Sequence, residues 1–252
     1  MNRLTSLVVA FTFGSAFSLA VTAAPPKTIA APKDAVGQVL FNGQNLAGWA
    51  GLPDHWEVSE GAITGYTTKW NPIKNNTFLV WTNGTVGDFE LHAKYRIRGG
   101  NSGIQYRSEL KDPALFIVGG YQADIDASPR YSGILYEERG RGILADRGQQ
   151  TIVKEKDGKT DIKVTTTLAT PEALQEFIRP EEWNDYVIVA RGDQVMHFIN
   201  GRLMSTCVDL DASKAPTRGI LALQVHAGPP MQVQFKDIVL YPLDAKPAAP
   251  KS

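Results

Sequence analysis

Cysteine is nearly absent from this sequence, with Cys207 the only one among 252 residues. A single thiol cannot form an intramolecular disulfide, and it cannot supply a zinc site built from several cysteines. Free cysteines usually behave as small buried hydrophobes, so Cys207 is predicted to lie in the core. The sequence therefore excludes a disulfide-stabilised scaffold and a cysteine-based metal module.

An excess of charge of either sign is also missing, because 26 Lys and Arg residues balance 26 Asp and Glu residues. Without a basic field, nucleic acid is not an expected partner. The four histidines show no His-x-x-x-His spacing, and neither a nucleophile elbow nor a phosphate loop occurs. No cofactor is therefore predicted. A divalent metal held by His226 and a carboxylate from another strand remains open.

Long apolar runs are lacking except at the start of the chain. Residues 4–21 are mostly apolar, follow Arg3, and lead into small residues before Pro25. This pattern predicts a secretory signal peptide over 1–23, cleaved after Ala23, with an uncleaved membrane anchor as the alternative. The expected location is periplasmic or secreted, with no membrane insertion after cleavage.

Two segments rich in Pro, Ala and Lys flank the rest of the chain. Residues 24–37 are predicted to be a linker, and residues 244–252 a disordered tail. The folded domain is therefore predicted over 38–243.

Short strands dominate this predicted domain. Phe89–Arg98 alternates apolar and polar residues, as a strand with one wet face does. Ten further runs have strand character: 56–58, 62–66, 78–81, 103–108, 120–126, 186–191, 195–199, 202–208, 220–226 and 233–241. Turn residues separate most of them, and Asn200-Gly201 favours a type I′ hairpin, so 186–208 is predicted to be a three-stranded meander.

Only residues 171–178 have the character of a helix. Thr170 can cap it, Pro171 suits its first position, and Pro180 ends it. Many strands with one short helix predict an all-β fold, a two-sheet antiparallel β-sandwich of jelly-roll type.

Three predicted strands carry polar side chains on one face, because side chains alternate along a strand. The polar sets are Gln224 with His226, Gln105 with Arg107, and Gln122 with Asp124 and Asp126. Aromatic residues available for stacking are Trp70, Tyr121, Tyr136 and Trp183. Such faces either border solvent or line a groove that binds sugars.

Ordinary glycoside hydrolysis fits the carboxylates poorly. Sandwich-fold glucanases carry Glu, Asp and Glu at alternate positions of one strand. The comparable positions here are Asp124, Asp126 and Ser128, so the third carboxylate is missing. A second charged segment, residues 136–142, contains Glu137 and is predicted to be a loop at the rim.

Six segments, in consistent order, resemble the 3-keto-disaccharide hydrolase domain family. They are 40–49 (LFNGQNLAGW), 56–63 (WEVSEGAI), 101–107 (NSGIQYR), 120–124 (GYQAD), 182–186 (EWNDY) and 219–226 (GILALQVH). The resemblance implies a concanavalin-like lectin/glucanase sandwich, export from a bacterial cell, and action on 3-keto-glycosides.

Keto-sugar chemistry needs one base, one donor for an oxyanion and one acid, because a ketone at C3 acidifies the proton on C2. His226 is predicted to be the base, since its neutral form is available near pH 7. Arg107 and Gln224 would hold the carbonyl oxygen, and Glu137 would be the acid. Asp124 would orient His226 or bind a hydroxyl. The remaining predicted substrate-binding residues are Gln105, Gln122, Tyr121 and Trp183.

Two other functions remain open. A lectin-like module would use the same residues to bind a carbohydrate without consuming it. A purely structural sandwich predicts that Arg107, Asp124 and His226 do not converge on one cavity. The expected partner is a carbohydrate, while its linkage, its leaving group and the oligomeric state stay open.

Overall fold

The computed structural model describes residues 28–33 and 35–243 of the chain. The predicted signal peptide and the predicted tail lie outside these residues. Within them, the first strand begins at Gln38 and the last ends at Pro242. No helix in this part of the chain is long and apolar enough to cross a membrane.

Residues 28–33 and 35–243 contain seventeen strands, one 3₁₀ turn at Pro53–His55 and one α-helix. The helix is α1 (Pro171–Gln175). The strands are β1 (Gln38–Val39), β2 (Trp49–Ala50), β3 (Trp56–Ser59), β4 (Ala62–Thr67), β5 (Thr77–Trp81), β6 (Phe89–Arg98), β7 (Asn101–Asp112), β8 (Ile117–Asp126), β9 (Leu135–Glu138), β10 (Gly142–Ala145), β11 (Gln149–Lys156), β12 (Lys159–Thr167), β13 (Asn184–Arg191), β14 (Gln194–Ile199), β15 (Arg202–Asp209), β16 (Ile220–Val225) and β17 (Met231–Pro242).

These strands form two sheets. The 10-stranded sheet has the order β12-β11-β15-β14-β13-β6-β17-β4-β3, with β1 paired to β17. The 7-stranded sheet has the order β10-β9-β8-β7-β16-β5-β2. Pairing is antiparallel except between β11 and β15, which run parallel. The predicted all-β two-sheet sandwich is confirmed.

The core lies between the two sheets and follows the strand alternation. In β6, Phe89, Leu91 and Tyr95 are buried while their neighbours are more exposed. Cys207 is fully buried in the same core, as predicted. Burial of alternate residues therefore sets which face of each strand remains for a site.

Several predicted elements match the structure and others do not. The 186–208 meander is confirmed as β13, β14 and β15, with Asn200 and Gly201 both at positive φ. The helix ends earlier than predicted, at Gln175. The predicted rim loop over 136–142 is wrong, because most of it forms the β9–β10 hairpin.

One end of the outer face of the 7-stranded sheet is apolar and covered. Phe78, Val80, Val118 and Ala222 form a small buried cluster there. The β7–β8 connection crosses this cluster, and the Phe78 N–H donates to the Phe116 carbonyl at 3.0 Å. The other end of this outer face is polar and contains the site described below.

One histidine is built into the core. The Nδ1 of His197 lies 3.1 Å from the Ile134 carbonyl oxygen, which can only accept, so Nδ1 carries the proton. Its Nε2 then accepts from the Tyr106 hydroxyl at 2.8 Å. Burial lowers the pKa of His197 to about 3, so the ring is neutral.

This neutral histidine makes stability depend on pH. Between about pH 3 and its ordinary pKa of 6.5, the unfolded chain binds a proton that the folded chain does not. Stability therefore falls as pH drops through that window. His197→Gln lacks this titration. As pH falls, we therefore expect the free energy of unfolding of the parent to drop relative to that of His197→Gln, by up to about 1.4 kcal/mol per pH unit. Urea unfolding at pH 7.5, 6.5, 5.5 and 4.5 measures it, and a pH-independent difference would contradict the assignment.

Candidate active site

A cavity of about 390 Å³ opens at the polar end of the outer face of the 7-stranded sheet. Side chains from several strands and loops surround it. The residues that line it are Asn76, Asn101, Gln122, Asp124, Asp126, Tyr131, Ile134, Tyr136, Glu138, Ile143 and His226.

Strand β8 supplies one wall of this cavity. Gln122, Asp124 and Asp126 all line it, as their alternation predicts. Gly103 lies opposite Asp124 in the ladder, and a Cβ there would come within 2.4 Å of the Gln122 side chain. A glycine at 103 therefore makes room for the Gln122 amide to lie across β7.

Asp124 is nearly buried at the cavity wall. Its two carboxyl oxygens accept from the Asn101 amide at 2.6 Å and from the Gln122 amide at 3.0 Å. Burial raises the pKa of Asp124 to about 8, although both hydrogen bonds oppose the shift. Asp124 therefore carries a proton at neutral pH.

Glu138, on the neighbouring strand β9, lines the same cavity as Asp124. The Asn76 amide donates to its carboxylate at 3.2 Å, and the Gln224 amide lies 3.5 Å away. Burial raises the pKa of Glu138, while the hydrogen bond from Asn76 and the nearby His226 oppose that shift. Two carboxyl groups of raised pKa thus share one cavity, a pattern found at functional sites.

His226 follows directly after β16 and is half-buried. Its Nδ1 lies 2.6 Å from the Ala227 carbonyl oxygen, which can only accept, so Nδ1 is the protonated nitrogen. The Nε2 of the neutral ring therefore carries a lone pair. Asn76 steadies this segment, since its amide oxygen accepts from the Ala227 N–H at 2.9 Å. The imidazole is positioned to accept a proton.

Tyr136 adds a phenol to the same cavity. It lies opposite Gln122 in the β8–β9 ladder. Burial raises the pKa of Tyr136, so its hydroxyl stays protonated. This hydroxyl makes no hydrogen bond to any residue within the described ranges, which leaves it able to donate to a bound molecule.

A group of three or more His, Cys, Asp or Glu side chains that could hold a metal ion is not found in residues 28–33 and 35–243. His226 and the cavity carboxylates are the residues that could contribute to one.

Arg107 lies outside the cavity, which corrects its predicted place beside Gln105. A bulge between Tyr106 and Glu109 interrupts the alternation, and Arg107 adopts a φ of 47°. Its guanidinium donates to the Gly87 and Gly192 carbonyls, each at 2.8 Å. It also pairs with Asp88 at 2.8 Å. Arg107 therefore joins segments of the fold.

Glu137 also points away from the cavity, because neighbours on a strand face opposite sides. Arg141 donates to its carboxylate at 2.6 Å and also binds Asp209 at 2.6 Å. The predicted acid is therefore held in a buried ion-pair network, and Glu138 takes the position in the cavity.

The predicted aromatic residues are placed elsewhere. Tyr121 is buried in the core, and its hydroxyl donates to Asp209. Trp183 directly precedes β13, in the other sheet. The charged groups of Arg96 and Lys236 lie 4.8 Å and 4.2 Å from its ring centroid. Neither residue contributes to the cavity wall.

Gln105 and Gln224 lie behind the wall. The Gln105 amide donates to Gln122 at 2.7 Å and accepts from the Ser108 hydroxyl at 2.7 Å. Gln224 lies between Gln122 and Glu138. Both are fully buried, so they support the cavity residues from beneath. Of the nine predicted site residues, the structure brings Gln122, Asp124 and His226 to the cavity surface.

Sequence reasoning missed Glu138, Asn76 and Asn101 as site residues. A strand assignment for 135–138 would have placed Tyr136 and Glu138 on one face and Glu137 on the other. Asn76 lies in the loop that leads into β5 and carries no periodic signal. Only the folded chain brings it to Glu138.

Comparisons with known proteins agree with this architecture. Two proposed glycosyl hydrolases from Parabacteroides distasonis ATCC 8503 have similar structures. One is 22% identical with TM-score 0.52, covering 82% of this chain and 94% of its own. The other is 18% identical with TM-score 0.53, covering 82% and 100%. A protein of unknown function with a galectin-like fold from Bacillus subtilis is 12% identical with TM-score 0.50, covering 78% and 90%. At these identities the likeness concerns the fold.

The chain thus has a β-sandwich fold similar to that of the galectin-like protein from Bacillus subtilis. It belongs to the 3-keto-alpha-glucoside-1,2-lyase-like domain family, which matches residues 37–240. This membership confirms the family resemblance and gives the protein a carbohydrate-active role. None of the curated proteins compared with the chain matches it.

The placement of Arg107 generates a stability prediction. Arg107→Met would leave two carbonyl groups without their donor and Asp88 without its ion-pair partner, so we expect a loss of about 3 kcal/mol in the free energy of unfolding. Arg139→Met is the matched control, because Arg139 is exposed and has a similar φ of 55°. Arg139→Met should lower the free energy of unfolding by no more than about 0.5 kcal/mol. Urea unfolding compares the two, and equal losses would contradict a special structural role for Arg107.

Proposed function

We propose that the protein cleaves 3-keto-glycosides by removing the C2 proton, eliminating the C1 substituent and adding water. The observation that carries this proposal is the meeting of Asp124, Glu138 and His226, from three different strands or their ends, at one open cavity. Family membership supports the substrate class. Because a C3 ketone acidifies the C2 proton, a single neutral base suffices for the first step.

The base is His226, since its Nε2 carries the lone pair in the tautomer that Ala227 selects. When Nε2 takes the C2 proton, the C2–H electron pair forms an enolate with its charge on the C3 oxygen. The neighbouring Glu138 carboxylate stabilises the resulting imidazolium. The Tyr136 hydroxyl donates to the enolate oxygen, in the role that the sequence assigned to Arg107 and Gln224.

The acid is Asp124, because burial keeps it protonated at neutral pH. The enolate re-forms the ketone, a C1–C2 double bond forms, and the C1–O bond breaks. The Asp124 proton goes to the departing oxygen. Water then adds across the double bond, with its hydroxyl bound to C1 and its proton returned to Asp124. The proton on His226 returns to C2, so the net reaction is hydrolysis.

The proposed site of action is outside the cytoplasm. The support for this part is the leader pattern of residues 1–23, with its apolar run and small residues before the predicted cut.

The test of the proposal is sugar release from a 3-keto-glucoside and from its unoxidised parent glucoside. We expect release from the keto form alone, and a loss of roughly 10²- to 10⁴-fold in kcat/KM for His226→Ala. His92→Ala is the control, because His92 lies on β6 of the other sheet. Parallel reactions with a chelator test for a required metal.

Two outcomes would contradict the proposal. Equal release from keto and parent glucosides would mean that the ketone has no role. Retention of the sugar without consumption of either form would favour a lectin-like module.

The acid role of Asp124 predicts a pH dependence. With a folded pKa of about 8, Asp124 loses its proton above that pH, so kcat/KM for an alkyl 3-keto-glucoside should fall there. A 4-nitrophenyl 3-keto-glucoside has a leaving group that needs no proton, so its rate should persist. Asp124→Asn should likewise slow the alkyl substrate selectively, while Asp126→Asn, a more exposed carboxylate on the same face, should not. Equal slowing of both substrates by Asp124→Asn would rule out the acid role.

A further inference from the structure

Three large, mostly apolar side chains of the candidate active site take no part in the proposed chemistry. They belong to Tyr131, Ile134 and Ile143, and we call these residues the apolar wall. Isoleucine side chains neither donate nor accept a hydrogen bond, so they offer nothing to a sugar hydroxyl. The cavity therefore combines its carboxyl groups, amides and imidazole with a surface suited to an apolar partner.

Tyr131 is the exposed member of the apolar wall. It lines the cavity, yet 40% of its surface remains accessible. The guanidinium of Arg130 lies 5.0 Å from the centroid of its ring. Arg130 is itself held by Asp146, to which it donates at 3.2 Å. An aromatic ring with a fixed neighbour thus offers free surface to a molecule in the cavity.

The loop between β8 and β9 holds Tyr131 in place. The buried Arg147 guanidinium donates to the Pro129 carbonyl at 2.6 Å and to the Ser132 carbonyl at 3.0 Å, on either side of Tyr131. The Ser132 hydroxyl accepts from the Asp126 N–H at 2.8 Å. These bonds fix the backbone around the ring before a ligand arrives, so binding there costs little ordering of the loop.

Tyr131 lies on the side of the cavity where the proposed acid is. The Gly133 N–H donates to the Asp124 carbonyl at 3.0 Å, which places the loop beside Asp124. The proposed base, His226, is instead close to Glu138. Glu138 ends β9, whereas Tyr131 precedes the start of that strand. Because the acid gives its proton to the departing oxygen, the group attached to that oxygen is the part of the substrate nearest to Tyr131.

We infer that Tyr131 stacks on the leaving group of the substrate, and that the preferred leaving groups carry an aromatic ring. This inference rests on the proposed function, and it defines the preferred substrates as 3-keto-glucosides of aromatic alcohols. A ring stacked on Tyr131 would also remove apolar surface of Ile134 and Ile143 from water. A small aliphatic leaving group would gain little from the apolar wall.

The experiment compares benzyl and methyl 3-keto-glucosides of the same anomeric configuration. Their leaving alcohols have nearly equal acidity, so bond breaking is matched and the difference reports binding of the ring. We expect kcat/KM to favour the benzyl compound by roughly three- to tenfold. A 3-keto-disaccharide is tested beside them, because a sugar ring also has an apolar face.

Tyr131→Ala should remove most of the preference for the benzyl compound, whereas Tyr131→Phe should retain it because the ring remains. Tyr241→Ala is the control, since it removes an aromatic ring from β17 of the other sheet and should leave the preference unchanged.

Three outcomes would overturn the inference. One is equal kcat/KM for the benzyl and methyl compounds in the parent protein. Another is a benzyl preference that Tyr131→Ala retains, because the ring would then have only a structural role. The third is a stronger preference for the disaccharide that Tyr131→Ala loses, because the apolar wall would then bind a second sugar.

Calorimetric binding of the unoxidised benzyl and methyl glucosides separates this inference from the proposed function. If none of the keto substrates is consumed, tighter binding of benzyl glucoside that Tyr131→Ala loses would still support stacking on Tyr131. Equal binding of the two glucosides, or binding of neither, would overturn the inference without turnover.

Discussion

The burial of two carboxyl groups among amide side chains is the constraint on which the site depends. A buried polar group is costly unless it is hydrogen-bonded, so the outer face of the 7-stranded sheet must supply partners for Asp124 and Glu138. Asn101 and Gln122 supply them for Asp124, and Asn76 and Gln224 for Glu138. Amides satisfy these oxygens without adding a positive charge. The two carboxyl groups therefore keep raised pKa values in a cavity that remains open.

The outer face of the 7-stranded sheet has an apolar end and a polar end. At one end, apolar residues such as Phe78 and Val118 are covered by the β7–β8 connection. At the other end, amides and carboxyl groups border the cavity. The apolar end anchors the connection, and the polar end is left accessible. The ion pairs and hydrogen bonds of Arg107 and Arg141 join neighbouring segments to this sheet. Neither arginine is therefore available to a substrate.

Alternation along the strands decided how far the sequence could predict the site. It correctly placed Gln122, Asp124 and Asp126 on one face, because β8 is regular there. It failed for Arg107, because a bulge between Tyr106 and Glu109 breaks the period. It chose Glu137 over Glu138 because a Gly-rich charged segment has the composition of a loop. The strand character of 135–138 comes from pairing with β8, which is a non-local contact.

By itself, the sequence determined the all-β sandwich, the 186–208 meander, the burial of Cys207 and the family, since each rests on local periodicity, turn chemistry or motifs. Only the tertiary structure decided which carboxyl groups share a cavity, which arginines are tied to the fold, and that Asn76 reaches Glu138. Those outcomes depend on distances between residues far apart in the chain and on burial. Bulges and side-chain hydrogen bonds determine these distances and this burial. Neither feature produces a periodic pattern of residue types in the sequence.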